Sequence, residues 1–271
     1  MSYRGRRASA ADAKLRVPSL AMPGPGRGYP SAQGSEFGLP VGNGPTNGTQ
    51  SEAAMRPGRS KRSSFAQARS LAVVQLWTKA KAWGAIGHHS DHAQRFGAFG
   101  HGSIIMFPWN TLYGEKWMRI GSNTMIGEGV TLSVGIHPEQ IPVSNPALTI
   151  GDRCLINKGT AIVAHFAIEI GDDVFTGHNC YITDQNHGYE DLTQPIGAQS
   201  MPEKPVRIGS GSWLGHGVIV VPGVTIGKHV TVAGGSVVTR DVPDRCVVAG
   251  APARIVRRYV EGEGWISVDR T

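Results

Sequence analysis

From Ile120 onward an aliphatic residue returns every six positions. Hexads begin at Ile120, Ile126 and Leu132, and resume at Ile150, Ile156 and Ile162. They shift phase by two to Ile170, Thr176 and Ile182, then run unbroken at Ile208, Leu214, Val220, Ile226, Val232 and Val238. Of these fifteen hexads only Thr176 breaks the aliphatic rule, and glycine follows the aliphatic residue in eight. Six is neither the period of a helix nor that of a long strand. It is the length of one short strand plus its corner, so three hexads close one triangular coil of a parallel β-helix. The predicted fold class is all-β, with about five to six coils. Residues 98–250 form that body, and residues 98–119 supply the additional coil.

The fifth position of each hexad is also small or apolar: Val130, Cys154, Val174, Cys180, Val218, Val224, Val230 and Ser236. These side chains share the interior with the aliphatic column. Cys154 and Cys180 therefore read as core residues rather than nucleophiles. Three cysteines are an odd count, which argues against a disulfide framework and for a cytoplasmic setting. No apolar run approaches the roughly 20 residues of a membrane span, and no apolar segment follows the basic N-terminus as in a signal peptide.

The charge is uneven. Residues 1–62 hold ten Lys and Arg against three Asp and Glu, while residues 63–271 hold 17 of each. The net +7 belongs wholly to a Gly-, Pro- and Ser-rich segment that cannot bury enough surface to order itself. It reads as a solvated, disordered tail, with no nucleic-acid partner inferred. Residues 63–97 read as a helical and loop segment. Phe65, Ala68, Leu71, Ala72, Leu76, Ala80 and Trp83 recur at helical spacing over 64–83, after Ser63 or Ser64 as cap and before Gly84 and Gly87. Residues 251–271 read as a basic C-terminal tail.

Two interruptions break the repeat, at 137–148 and 188–206. Loops inserted into a rigid array tend to carry function. The second begins just after Asp184-Gln185-Asn186-His187.

Three segments now carry a resemblance: Pro222-Gly223-Val224-Thr225-Ile226-Gly227, Ala233-Gly234-Gly235-Ser236-Val237-Val238-Thr239 and Gly250-Ala251-Pro252-Ala253. With the hexads they resemble the hexapeptide-repeat acyltransferases, over roughly residues 98–260. Within that family the pattern is similar to the maltose, galactoside and nodulation-factor O-acetyltransferases and to sugar O-acyltransferases of polysaccharide biosynthesis. The resemblance implies a left-handed helix, a homotrimer with sites between subunits, and acetyl-CoA as acyl donor, with no permanently bound cofactor. Succinyl-CoA is the alternative donor, because His216 or Lys158 can meet its carboxylate.

The resemblance also assigns roles. His187 matches the catalytic base, and an imidazole titrates near neutral pH. A backbone carbonyl or a loop acid such as Glu190 or Asp191 is a candidate to orient its ring. Asn157, which replaces the glycine of its hexad, together with Phe175, Met201 and Asp184, matches acceptor-side positions; Asn157 also reads as a corner asparagine. Trp213, Gly215, His216, Gly234, Thr239 and Arg240 match the run along the pantetheine arm. Arg254 and Arg257 match the basic residues that meet the nucleotide phosphates. His216 stands where many relatives carry serine, so a side-chain hydroxyl is absent there. His165 and His178 are the other histidines of the same coils. A zinc site of the carbonic anhydrase kind is disfavoured: no two histidines are separated by four residues, and His88, His89 and His92 lack partners in sequence. A scaffold without catalysis would not need His187, Asn157, Trp213 and the arginines together.

Overall fold

The computed structural model describes residues 61–268. The tail expected over 1–62 lies almost wholly outside the described residues. The body is a parallel β-helix, as the six-residue period predicts. Its strands sort into three stacked sheets, one for each side of the triangle. The first full coil uses Ala98–Phe99, Ile104–Ile105 and Thr111–Tyr113. Five more follow in register, and a partial seventh ends in Cys246–Ala249. Residues 98–119 thus supply the extra coil, and the helix reaches the upper figure of six.

The hexad residues behave as the repeat requires. Ile120, Ile126, Leu132, Ile150, Ile156, Ile162, Ile170, Ile182, Ile208, Leu214, Val220, Ile226, Val232 and Val238 are all 2% exposed or less. The fifth-position residues Val130, Cys154, Val174, Cys180, Val218, Val224, Val230 and Ser236 are equally buried. Burial of each such aliphatic side chain contributes roughly 1.5–3 kcal/mol, which is the main favourable term holding the coils together. All three cysteines are free and buried, and burial pushes their thiols above the usual range. They are poor thiolates for that reason.

One corner needs a left-handed residue in successive coils. Asn123, Arg153, Asp173, Gly211, His229 and Arg245 occupy it, with φ between 53° and 72°. Arg153 turns this backbone column into a side-chain one by holding Asp173, one coil above, through two 2.8 Å bonds.

The N-terminal helix spans Lys61–Gly84, three residues longer at its start than the sequence spacing suggests. It is tethered at its end. Lys81 Nζ meets Glu128 Oε1 at 3.0 Å, and Gly84 lies so close to the Phe107 ring that no side chain fits there. Its apolar residues Leu71, Val73, Val74, Leu76, Trp77 and Trp83 are at least half exposed.

The C-terminal segment is corrected by the structure. Of the tail expected over 251–271, the described residues to 268 do not leave the body. Arg254–Val260 folds back antiparallel on Cys246–Ala249, and Gly264–Ser267 pairs with it in turn. Ile255 and Val256 lie between Arg254 and the pair Arg257-Arg258, and Ile255 packs on the core. A basic composition hid this strand pair. Among the described residues, no helix is long and apolar enough to cross a membrane.

Candidate functional site

The second interruption is built as a stem. Asp184–Gly188 runs antiparallel to Ser200–Lys204: Gln185 bridges Glu203, Asn186 N donates to Pro202 O, and Gly188 N donates to Ser200 O. That register places His187 directly across from Met201. His187 is exposed, and Met201 is half-buried. The strand Tyr181–Thr183 feeds the stem straight from the core, so the imidazole stands on a support fixed by Ile182 and its neighbours.

Asp184 anchors the base of the stem. It is 0% exposed. Its Oδ1 accepts from His165 N and its Oδ2 from Phe166 N, both at 2.8 Å. Burial pushes its carboxyl above the usual range, against the pull of those amides. Both oxygens are engaged by backbone, which makes Asp184 a staple between coils. The acceptor role drawn from the resemblance does not fit that geometry. Asp191, one of two candidates to orient His187, is likewise occupied: it accepts from Thr193 and Gln194, which holds its carboxyl below the usual range.

Asn157 sits at a coil corner, half-buried. Its Nδ2 donates to Thr176 O at 2.7 Å, leaving its Oδ1 as an acceptor.

The donor-side residues fall into two groups. On one face, strand register aligns Phe175 with Trp213, Trp213 with Thr231, Thr231 with Val247, and Val247 with Arg257. Phe175 and Trp213 are 49% and 52% exposed, a large apolar patch for a strand face. At the adjoining corner Gly215, His216 and Gly234 stack closely: a Cβ on Gly215 would lie 2.5 Å from Gly234 N, and one on Gly234 3.1 Å from His216 O. Glycine is required at 215 for that approach, and at 234 a Cβ would make a tight contact. The rings of His178 and His216 meet edge to face, with centroids 6.4 Å apart. Thr239 and Arg240 are exposed just past Val237–Val238. Arg254 and Arg257 are exposed on the folded-back strand.

Within one chain the structure brings His187 to Met201, and Phe175, Trp213 and Arg257 to one line. It joins no direct contact between these two sets. Sequence reasoning missed Glu203 and Gln185, whose place at the stem is set by pairing across seventeen intervening residues. His92, read as lacking an acidic partner, has its Nε2 3.2 Å from Glu115 Oε1. Among the described residues, no group of three or more His, Cys, Asp or Glu side chains is placed to hold a metal ion.

Comparison with known proteins agrees with this architecture. The family model for the bacterial transferase hexapeptide (six repeats) matches residues 205–240, and that for the hexapeptide repeat of succinyl-transferase matches residues 147–184. The chain is 30% identical over 163 residues to an Escherichia coli protein named for lipopolysaccharide biosynthesis O-acetyl transfer, covering 58% of this chain and 79% of that one. It is 31% identical over 147 residues to the galactoside O-acetyltransferase of the same organism, covering 54% and 66%. A Mycobacterium tuberculosis protein named as an acetyltransferase is 38% identical over 111 residues, covering 41% of this chain and 37% of its own length. Among solved structures, an N-acyltransferase from Bacillus cereus in complex with dTDP and coenzyme A superposes with a TM-score of 0.51 at 19% identity, covering 65% of this chain and 93% of that one. That likeness bears on the fold, and the β-helix is of the left-handed class.

Proposed function

We propose that this chain, which belongs to the hexapeptide-repeat acyltransferase family, moves an acetyl group from acetyl-CoA to a hydroxyl of a sugar. The observation that carries the reading is His187: an exposed imidazole on a stem rooted in the rigid coil, at the lip of the inserted loop. The names of the relatives support the acyl donor and the class of acceptor.

The reaction needs no covalent enzyme intermediate. With both substrates bound, a ring nitrogen of His187 takes the proton of the acceptor hydroxyl as its oxygen attacks the thioester carbonyl carbon. The carbonyl oxygen becomes an oxyanion, for which the His216 backbone amide at the stacked corner is the candidate donor, the Gly215 amide being held by Val232 O. The carbon–sulfur bond then breaks, and the coenzyme A thiolate takes a proton from the imidazolium. The raised thiols of the three buried cysteines fit this direct route. Arg254 and Arg257 serve the nucleotide phosphates.

A homotrimer completes the proposal. The exposed Phe175 and Trp213 give one subunit a face to cover, and a neighbour's His187 stem can meet the donor-side line there. The cytoplasm is the compartment we assign, since it supplies acyl-CoA. A second reading, succinyl transfer, is favoured by one observation: Lys158, His178 and His216 succeed each other at one corner, with Asn179 N on Lys158 O and Gly217 N on His178 O. Such a column suits a carboxylate at the end of the acyl chain. Incubation with acetyl- or succinyl-CoA and a panel of sugars, read by thiol release, decides between them. No thiol release with either donor overturns the function.

A further inference from the structure

The stem that carries His187 rests on a buried ring that the reaction above does not use. His165 follows the strand Ala161–Ala164 and is 4% exposed. Its Nδ1 has no hydrogen-bond partner among the described residues. That atom lies 3.7 Å from Glu203 Oε1, beyond hydrogen-bond distance, and the Glu203 side chain is partly exposed. Glu203 pairs with Gln185, whose Oε1 is also buried without a partner. On the opposite side, His165 N and Phe166 N hold the Asp184 carboxylate, and Lys204 N donates to Asp184 O at 2.8 Å. The turn at His165 therefore grips both strands of the stem at its root, two residues from the His187–Met201 rung.

We propose that His165, acting through Glu203, is a positioning residue that sets the stem, and with it His187, on the β-helix. This rests on reading His187 as the base. His165 cannot take that part itself, because at 4% exposure it reaches no acceptor hydroxyl. Burial lowers its pKa, with the Asp184 and Glu203 carboxylates opposing, so the ring is neutral at neutral pH. A neutral ring with its proton on Nδ1 turns its dipole toward the Glu203 carboxylate across 3.7 Å; that tautomer is assigned from the acceptor beside it. A displacement of about 1 Å at a catalytic group can cost about 100-fold in rate, so a modest grip at the root matters.

The test uses the full chain with His165→Leu, His165→Asn and Glu203→Gln, reading amide hydrogen exchange over 184–188 and 200–204 beside kcat and KM. His165→Leu should speed exchange in the stem and lower kcat about 10- to 100-fold, with KM for acyl-CoA held within about two-fold. His165→Asn, which keeps a donor near the place of Nδ1, should restore both in large part. Glu203→Gln should resemble His165→Leu. Should His165→Leu fail to fold, Glu203→Gln, altered at a partly exposed side chain, carries the same comparison. Stem exchange unchanged in the variants overturns the positioning role whatever the turnover. Faster exchange through the whole β-helix, unrelieved by Asn, overturns it too, since that marks a packing role alone. A loosened stem with normal turnover instead overturns the reading of His187 as the base.

Discussion

Asn157 and Thr176 are bonded to each other twice. The Asn157 amide Nδ2 donates to Thr176 O at 2.7 Å, and Asn157 N donates to Thr176 Oγ1 at 2.9 Å. Asn157 replaces the glycine of its hexad, and Thr176 is the one non-aliphatic residue in the inward column. Two departures from the repeat thus form a single local solution, in which the hydroxyl that is 1% exposed inside the coil satisfies an amide of the coil below.

That pairing makes the first prediction. Thr176→Val keeps the shape and removes the acceptor of Asn157 N, leaving a buried donor unpaired. The expected loss is about 1–3 kcal/mol, measured by chemical denaturation. Asn157→Ala separates two readings of that residue. A corner role lowers stability alone, whereas an acceptor-binding role through Oδ1 also raises KM for the sugar.

His187→Ala should lower kcat by about 10²- to 10⁴-fold, the range for losing a general base. Its melting temperature should match wild type, because the ring is exposed and supports no packing. Acyl-CoA affinity, followed by calorimetry, should hardly move. Near-normal turnover at saturating substrates would refute the mechanism.

The arginines should show the reverse pattern. Arg254 Nη1 bonds Ala253 O at 2.9 Å and Arg257 Nη2 bonds Trp265 O at 3.2 Å, contacts of the exposed folded-back strand. Replacing either with alanine should raise KM for acyl-CoA several-fold and leave kcat within about two-fold, the sign of lost uniform binding. Initial rates over a range of donor concentration check this. A fall in kcat at unchanged KM counts against the phosphate-binding role.

Acid should weaken the fold through His165. Burial depresses its folded-state pKa, more than Asp184 and Glu203 raise it. A depressed histidine contributes stability that is complete above the unfolded value of about 6.5 and is lost as pH falls below it toward the folded value. Asp184 works in the opposite sense: its raised carboxyl pKa favours the fold as pH falls through it. Comparing wild type with His165→Asn cancels the Asp184 contribution to first order. Between about pH 7 and pH 5 the wild type should lose more melting temperature than the variant. Parallel curves would show that His165 takes up its proton alike in the folded and unfolded states, against the depressed folded-state value.

The sequence alone determined the β-helix and its interior, and bounded its full coils at about five to six, because a six-residue period forces Ile126, Ile156, Thr176, Leu214 and Val232 into one inward column, whatever surrounds them. It also pointed to His187 as the candidate base, through its place at the end of a hexad run and the family resemblance. It could not assign Asp184, whose role depends on two amides nineteen and eighteen residues earlier that approach only when coils stack. Nor could it reveal Glu203 beside His165, since the stem pairs by antiparallel register across a loop without periodicity. The basic C-terminus misled for a related reason: Arg254, Arg257 and Arg258 dominate its composition, while the edge of Cys246–Ala249 decided its fold by offering unpaired backbone groups to a returning strand. Local repetition fixes what each residue does within its coil. Contacts between coils, and between the two ends of an insertion, are set by tertiary structure, because only there do distant backbone donors and acceptors meet.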